Sequence, residues 1–322
     1  MRNNKNNNTP SIHAQGGARR FPYGQDQGSI ATVPELARNG LFILLWEDDE
    51  GRYPIGYMLD RVVEELLRVP PSVRGPVDLN GNNRSILLFQ LPTEGERSRL
   101  VAGLAHYWRV RETFGLLRRW RDEAWPVYSR KGELLFTVER AAMGLLGTMR
   151  YGAHLTAYIN DASASHGIKL WVARRAANKA TFPGMLDNTV AGGLVPGEDP
   201  IDCIVREAVE EASLSVDLVR RSVSCWVYDL HLPANETPKP NDGEVDQFFL
   251  CDVDQIKADM ADGKFKPNCA VVLLDFFIRH GILTKADEDY LDIINSRMHR
   301  ELPFPGPHKG DWHPVEKPSS HF

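Results

Sequence analysis

The chain has 322 residues, of which 42% are hydrophobic and 25% are charged, as in proteins that bury a core. Its formal net charge of −5 gives no overall attraction toward nucleic acid polymers or anionic membranes. The longest apolar runs, 41–46 and 270–278, are too short to cross a bilayer. We therefore expect a protein of two domains that binds a small molecule, not a nucleic acid polymer or a membrane.

The four cysteines are widely spaced and form no CxxC pair; they are Cys203, Cys225, Cys251 and Cys269. Unpaired thiols are typical of a reducing compartment, which predicts a cytoplasmic location. The first 25 residues contain no acidic side chain, so a mitochondrial transit peptide stays open as a weaker alternative. Composition says nothing about the oligomeric state.

Residues 1–32 and 301–322 are predicted to be tails, because they are rich in small and polar residues and lack a periodic apolar pattern. Residues 33–145 have strands and amphipathic helices of their own, which predicts a small α+β domain. Its predicted elements are strands 41–46 and 85–91, helices 58–69, 94–108 and 141–149, a loop at 70–83 and a hairpin over 125–138.

Residues 146–300 alternate strands and helices, a pattern typical of the α/β class. Strands are predicted at 154–159, 169–174, 189–191, 225–230 and 245–251, and helices at 200–212, 253–261, 270–279 and 287–300. This order predicts a mixed sheet with helices on both faces, an α/β/α sandwich, preceded by the smaller α+β N-terminal domain.

One motif carries the chemistry, in the stretch GGLVPGEDPIDCIVREAVEEASL at 192–214. Gly192 is followed after five residues by Glu198, and after seven more by REAVEE at 206–211. One Gly, one Arg and four Glu at these offsets occur by chance with odds on the order of 10⁻⁴ in a chain of this length. The spacing is therefore a strong signal.

The helix over 200–212 concentrates negative charge beside an apolar stripe. Asp199 is placed to cap it, and Pro200 in the first turn needs no backbone donor partner. Ile201, Ile204, Val205, Ala208 and Ala212 are predicted to dock the helix on the sheet. The neighbouring arc holds Glu207, Glu210 and Glu211, whose carboxylates repel each other unless a cation lies between them. A hard divalent ion such as Mg²⁺, with Mn²⁺ as an alternative, fits such oxygen ligands.

This spacing is that of the Nudix box, so the chain resembles the Nudix hydrolases, with Ser213 in place of the box's last glycine. The resemblance implies a Nudix α/β/α sandwich and metal-dependent hydrolysis of a phosphoanhydride bond in a small-molecule diphosphate. It carries over to six positions: Gly192, Glu198, Arg206, Glu207, Glu210 and Glu211. Arg206 lies one helical turn from Glu210 and is predicted to orient it.

Several further residues are candidates for the site. A backbone carbonyl near Ala191 is predicted to reach the metal, since the glycine-rich loop after it allows a tight fold. Glu244, on the turn of NDGE at 241–244, is a candidate metal ligand or general base, with a simple turn carboxylate as the alternative. Arg174, Arg175 and Lys179 are candidate phosphate-binding cations; solvated loop charge is the alternative for each.

Four stretches outside the box resemble one subfamily: 170–193, 227–233, 239–245 and 265–281. It comprises the fungal and plant Nudix proteins once labelled thiamin-pyrophosphokinase-related, which have an extra N-terminal domain. The resemblance implies conversion of a diphosphate to a monophosphate in metabolite repair, with oxidised or otherwise damaged thiamin diphosphate, or 8-oxo-dGDP, as substrate. The kinase label has no support, because the sequence has no ATP-binding glycine-rich loop.

Two other readings stay open. An isomerase of the isopentenyl-diphosphate type has the same fold, but it needs a cysteine opposed to an acid across the substrate. Here Cys203 lies inside the box helix and no cysteine sits in a matching motif. The second reading is a catalytically silent binding module, which the three glutamates of the box disfavour. Phosphate release with and without Mg²⁺ separates the three.

Overall fold

The structure is a computed structural model that describes residues 31–220, 227–286, 291–299 and 303–306. Most of both predicted tails, the first two residues of the strand predicted at 225–230, and residues 287–290 of the last predicted helix lie outside the described residues. No described helix has both the length and the apolar character that crossing a bilayer requires.

The part of the chain before residue 150 forms two sheets of its own. Its helices are α1 (Val33–Arg38), α2 (Asp60–Arg68), α3 (Pro71–Arg74), α4 (Glu94–Val110) and α5 (Met143–Leu146), with a 3₁₀ helix at Gly115–Arg119. Its strands are β1 (Leu41–Asp48), β2 (Gly51–Leu59), β3 (Val77–Asn80), β4 (Ser85–Leu88), β5 (Ala124–Tyr128) and β6 (Leu134–Glu139). The first four strands form a sheet in the order β2-β1-β4-β3, and β5 pairs with β6 as the predicted hairpin.

Two predictions fail in this part. The stretch 70–83, predicted to be a loop, contains α3 and β3. The strand β2 was not expected, and the helix predicted from residue 58 begins only at Asp60. Pro54 hides the strand signal of β2, because proline lacks a ladder donor and is confined to edge strands and bulges. Here β2 is an edge strand, and Pro54 lies opposite the register shift of β1.

The second part forms a six-stranded sheet. Its strands are β7 (Gly152–Asn160), β8 (Ile168–Arg175), β9 (Leu186–Asp187), β10 (Val190–Gly193), β11 (Val227–His231) and β12 (Val245–Asp252). Its helices are α6 (Pro200–Ala212), α7 (Val216–Arg220), α8 (Val253–Ala261), α9 (Pro267–Arg279) and α10 (Leu291–Met298). The sheet is mixed, as predicted, because β11 runs parallel to β7 while the other pairings are antiparallel.

Alternating side chains of β8 show that helices cover both faces of this sheet. Ala173 belongs to the buried cluster that contains the apolar side of α6, and Trp171 packs against that cluster. Leu170 and Val172 belong instead to the cluster of α8 and α9. Since successive residues of a strand point to opposite faces, α6 lies on one face and α8 and α9 on the other. The predicted α/β/α sandwich is confirmed.

The buried residues divide close to the predicted domain boundary. A first cluster draws all its buried members from residues 44–146, and the other two draw theirs from residue 151 onward, apart from Tyr128. Within the predicted C-terminal tail, at residues 303–306, Phe304 is buried and its ring packs edge-on against Tyr57, with centroids 5.1 Å apart. Tyr151 Oη also donates to Pro305 O at 3.0 Å. The remaining domain limits stay predictions.

Ser213 ends α6 in the left-handed conformation, with φ of 55°. Glycine is favoured there because it has no Cβ to clash with the following carbonyl. We therefore expect Ser213→Gly to raise the free energy of unfolding by about 1 kcal/mol, even though the bond from Ser213 Oγ to Lys239 O is lost. Ser213→Val is the control and should destabilise. Denaturant titration measures both; a glycine variant less stable than the parent would contradict the expectation.

Candidate active site

Helix α6 begins where the sequence predicts. The Asp199 side chain accepts a hydrogen bond from Ile201 N at 2.8 Å, and Pro200 occupies the first turn. The buried side of the helix is close to the predicted stripe, with Cys203 added, but Ile201 is exposed. The buried side chains of α6 are Cys203, Ile204, Val205, Ala208, Glu211 and Ala212. Because α6 docks through this side, the arginine and glutamates of the box lie beside the strand β10.

Arg206 is the centre of the ionic network at the helix. Its Nε and Nη2 donate to the two carboxylate oxygens of Glu198 at 2.8 and 3.0 Å. Its Nη1 donates to Glu207 at 2.8 Å and to Glu210 at 3.1 Å. The bidentate pair fixes the plane of the guanidinium, because both partners are planar. The predicted contact between Arg206 and Glu210 is present, and Glu198 anchors the arginine.

Gly192 provides the space for Glu207. A Cβ at position 192 would lie 2.0 Å from Glu207 Cδ and 2.1 Å from its Cγ. Any other residue would therefore displace this carboxylate. Burial raises the pKa of Glu207, and the charges of Glu210 and Glu244 add to the shift, while Arg206 opposes it.

Glu211 is buried at the end of the same turn, with 7% of its surface exposed. Its carboxylate accepts a hydrogen bond from Ala191 N at 3.2 Å, which ties the helix to β10. Burial and the charge of Glu207 raise the pKa of Glu211 well above its ordinary value, with smaller contributions from Asp187 and Glu244. An ionised Glu211 therefore requires a cation nearby.

Glu244 lies outside the box helix, on the turn at 241–244. Its charge acts on both Glu207 and Glu211, so the turn at 241–244 brings a fourth carboxylate toward the box. Lys179 forms an ion pair with Glu244, and Ala176 N donates to Glu244 O at 2.9 Å. The sequence analysis proposes Glu244 and Lys179 for separate roles, and in the structure the two side chains form an ion pair.

Arg174 and Arg175 differ in their surroundings. The Arg175 nitrogens donate to Phe182 O, Thr181 O and, at 2.7 Å, to the buried carboxylate of Asp187. Arg174 donates to Gly184 O at 3.2 Å, and its guanidinium lies over the ring of Phe249. Arg175 is thus already engaged with protein groups in holding the 181–184 loop.

Asp187 was missed by the sequence analysis, although a polar pair, Asp-Asn, inside an apolar stretch is a usable signal. It accepts hydrogen bonds from Arg175 Nη1 and from Cys269 Sγ, the latter at 2.5 Å, and Lys266 Nζ lies 3.5 Å away. Burial opposes its ionisation, yet Lys266, Cys269 and Arg175 together hold the pKa of Asp187 below its usual value. This anion lies close enough to act on Glu211.

The carboxylates suit a hard divalent cation by their chemistry, without forming a finished site. In the described part of the chain, no three His, Cys, Asp or Glu side chains are grouped as a ready metal site. Mg²⁺ does not require such a group, because it keeps several waters and binds one or two carboxylates together with substrate phosphates. The buried Glu211, its neighbour Glu207 and Glu244 therefore fit this ion.

Comparison with protein families gives two adjacent matches. The model for the NUDIX domain matches residues 153–269, and the model for a domain of unknown function, DUF4743, matches residues 52–150. The first match contains the whole of α6 and the turn with Glu244. The second covers most of the separate sheets of the N-terminal part.

Three named relatives are identical to this chain at about a third of their aligned residues. The uncharacterized protein YJR142W of Saccharomyces cerevisiae is 32% identical, over 78% of this chain and 82% of its own length. Nudix hydrolases 20 and 24 of Arabidopsis thaliana, both named chloroplastic, are each 33% identical, over 72% and 64% of this chain. The alignments span 64% and 60% of these plant proteins, less than two thirds of their length.

Solved structures are more distant. DR0079 from Deinococcus radiodurans is 19% identical, with a TM-score of 0.35, covering 55% of this chain and 100% of the other. An Ap4A hydrolase of C. elegans is 19% identical, with a TM-score of 0.29, covering 40% of this chain and 98% of the other.

Proposed function

This chain belongs to the Nudix family of pyrophosphohydrolases, and from that premise we propose that it converts a small-molecule diphosphate to the monophosphate and phosphate with Mg²⁺. The observation that carries the proposal is the buried Glu211: among the described residues no cationic side chain is bonded to it, and the carboxylates of Glu207 and Glu244 act on its charge. A buried carboxylate in such surroundings calls for a positive partner. Mn²⁺ is the alternative cofactor.

When bound, the ion supplies neutralisation of phosphate charge and a more acidic water molecule. Glu207 and Glu211, with the carbonyl near Ala191, would hold it, and Glu210, whose side chain is half exposed, supports them. Arg206, clamped by Glu198, sets the direction of Glu207 and Glu210. Glu244, Glu207 or Glu211 takes the proton of the attacking water, and positioning and electrostatics supply most of the rate gain.

For substrate binding we propose Arg174 and Lys179 as the phosphate-binding cations, with Lys179 exchanging its ion pair with Glu244 for one with the phosphate. Arg175 contributes by holding the 181–184 loop, because its nitrogens are engaged with Asp187 and two carbonyls. Phe182 lies in that loop with 43% of its surface exposed and is available to cover a ring, whereas Phe265 is buried in the core.

For the substrate itself we propose a damaged, oxo or oxy form of thiamin diphosphate, with an oxidised nucleoside diphosphate such as 8-oxo-dGDP second. Intact thiamin diphosphate carries a cationic thiazolium ring, which is repelled by a pocket that gathers Arg174 and Mg²⁺. The oxo form has lost this cation and escapes the repulsion, whereas the oxy form is altered on its pyrimidine ring and keeps the thiazolium. The charge argument therefore favours the oxo form, a diphosphate attached to a neutral ring.

The test is kcat/KM with Mg²⁺ for oxo-thiamin diphosphate, thiamin diphosphate, 8-oxo-dGDP and ADP-ribose, measured side by side. We expect oxo-thiamin diphosphate to exceed thiamin diphosphate by about tenfold, the effect of roughly 1.4 kcal/mol of charge repulsion. Phe182→Leu should raise KM for the preferred substrate, since an aromatic face is lost. A preference for ADP-ribose or the nucleotide would remove the thiamin proposal and leave the hydrolase standing.

The two rival functions are tested in the same assay. An isomerase would release no phosphate, and Cys203 is a poor acid-base group because burial raises the pKa of its thiol to about 12. A silent binding module would bind the diphosphate without turnover. A cytoplasmic location also stays a proposal, which cell fractionation decides.

A further inference from the structure

The hairpin of β5 and β6 contacts the loop that leads into the box helix. The Trp125 ring occupies the space beside Gly193: a Cβ at position 193 would lie 2.7 Å from Trp125 Cζ2 and 2.9 Å from its Cη2. Tyr128 Oη accepts a hydrogen bond from Gly197 N at 3.1 Å. The two aromatic residues of the N-terminal domain thus touch both ends of the loop 193–197.

Tyr128 is buried in the core of the catalytic domain and does not merely touch its surface. It is 4% exposed and belongs to the cluster that contains the buried side of α6. Its ring lies 6.5 Å from that of Tyr151, centroid to centroid. Burial raises the pKa of its hydroxyl, so Tyr128 stays a neutral phenol. The remaining buried residues of the hairpin, such as Phe136, belong to the N-terminal cluster.

Both contacts adjoin the ionic network of the helix. Gly193 O lies 3.4 Å from Arg206 Nη2, and Gly197 directly precedes Glu198, the anchor of that arginine. Gly197 has φ of 79°, so the loop turns there in a conformation that side chains rarely adopt. Trp125 and Tyr128 contact this loop at its two ends, Gly193 and Gly197.

We propose that the N-terminal domain positions the active site: Trp125 and Tyr128 fix the loop 193–197, and through Glu198 and Arg206 they fix the direction of Glu207 and Glu210. Trp125 and Tyr128 are positioning residues. The proposal rests on the proposed function, in which these carboxylates serve a divalent ion. In this proposal, the domain of unknown function holds active-site residues of the Nudix domain in position.

The test uses the full chain with Tyr128→Phe, which removes the acceptor of Gly197 N. Tyr53→Phe is a matched control, because Tyr53 Oη accepts from the backbone N of Arg130 at 3.4 Å, within the N-terminal domain. Groups that orient metal ligands typically change metal affinity or activity by about 10- to 100-fold. We expect Tyr128→Phe to lower kcat about tenfold, and Tyr53→Phe to leave it within twofold.

Trp125→Leu removes the ring beside Gly193, and Trp120→Leu is its control, since Trp120 packs against the N-terminal cluster and its Nε1 bonds to Asp122. For all four variants, Mn²⁺ affinity without substrate is measured by water-proton relaxation, and Tm by calorimetry. We expect the Tyr128 and Trp125 variants, but not their controls, to bind Mn²⁺ more weakly than the parent. The loss in Tm of each variant should match that of its control.

Glu211→Gln distinguishes the two proposals. If it stays active, the proposed metal chemistry fails. If it is inactive while Tyr128→Phe and Trp125→Leu match their controls in kcat and Mn²⁺ affinity, the positioning role is refuted and the hydrolase stands. If kcat in these two variants falls only in proportion to their loss in Tm, the positioning role is also refuted, because a structural role then accounts for the result.

Discussion

Glu211→Gln is expected to lower kcat by about 10²–10⁴ at saturating Mg²⁺ while the protein keeps its fold, because an anionic ligand or base is lost and the shape is retained. The glutamine can keep the contact with Ala191 N through its carbonyl oxygen. Since burial raises the pKa of Glu211, removing its charge should cost no stability, and the Tm should stay equal or rise. Steady-state kinetics and calorimetry on one preparation measure both.

Glu207→Gln should show a similar loss of kcat, whereas Glu210→Gln should lose less because the Glu210 side chain is half exposed. Glu236→Gln is the control, an exposed glutamate outside the box and outside the turn at 241–244. Near-normal turnover of Glu211→Gln and Glu207→Gln at saturating Mg²⁺ would exclude the assignment of these carboxylates to the metal.

Gly192→Ala is expected to lower kcat by about 10²-fold, the typical effect of misplacing a reacting group by around 1 Å. The added methyl group would overlap Glu207 Cδ and Cγ, so the carboxylate must rotate away from its place beside Arg206. The backbone need not move much, because the clash is with a side chain. Kinetics at several Mg²⁺ concentrations should show a raised metal requirement together with the lower kcat.

Gly103→Ala is the matched control for this substitution. Gly103 lies in α4 with nothing within 4 Å of an added Cβ, and alanine is favoured over glycine in a helix. We expect unchanged kinetics and equal or higher stability. If Gly192→Ala is as active as Gly103→Ala, the position of Glu207 beside Arg206 is not the one used in catalysis.

The sequence predicts best where the pattern is long and its ends are marked. The limits of α6, Pro200–Ala212, and of α8, Val253–Ala261, are as predicted. For α6, proline in the first turn and the cap at Asp199 mark the start. The strand β2 was hidden by Pro54, and the two-residue strand β9 is too short to have a period. Such elements are held by pairing partners distant in sequence.

The residues of the candidate site also differ in how far the sequence predicts them. The spacing of Glu207, Glu210 and Glu211 is a property of one helix and can be read directly. Asp187 could not be assigned, because its partners come from two other elements: Arg175 ends β8, and Lys266 and Cys269 lie at the start of α9. Nor could the sequence pair Trp125 with Gly193, two residues in different domains. Contacts between residues that are distant in sequence produce no periodic pattern in a single sequence.

The close approach of Trp125 to Gly193 has a consequence for how such proteins can diverge. The two family matches meet between residues 150 and 153, yet this contact spans that junction. A larger residue at 193 can be accommodated only beside a smaller one at 125, so the two positions should coevolve across homologues. Exchange of the catalytic domain alone between distant lineages should then yield poorly matched chimaeras. The two domains are expected to be inherited as a pair.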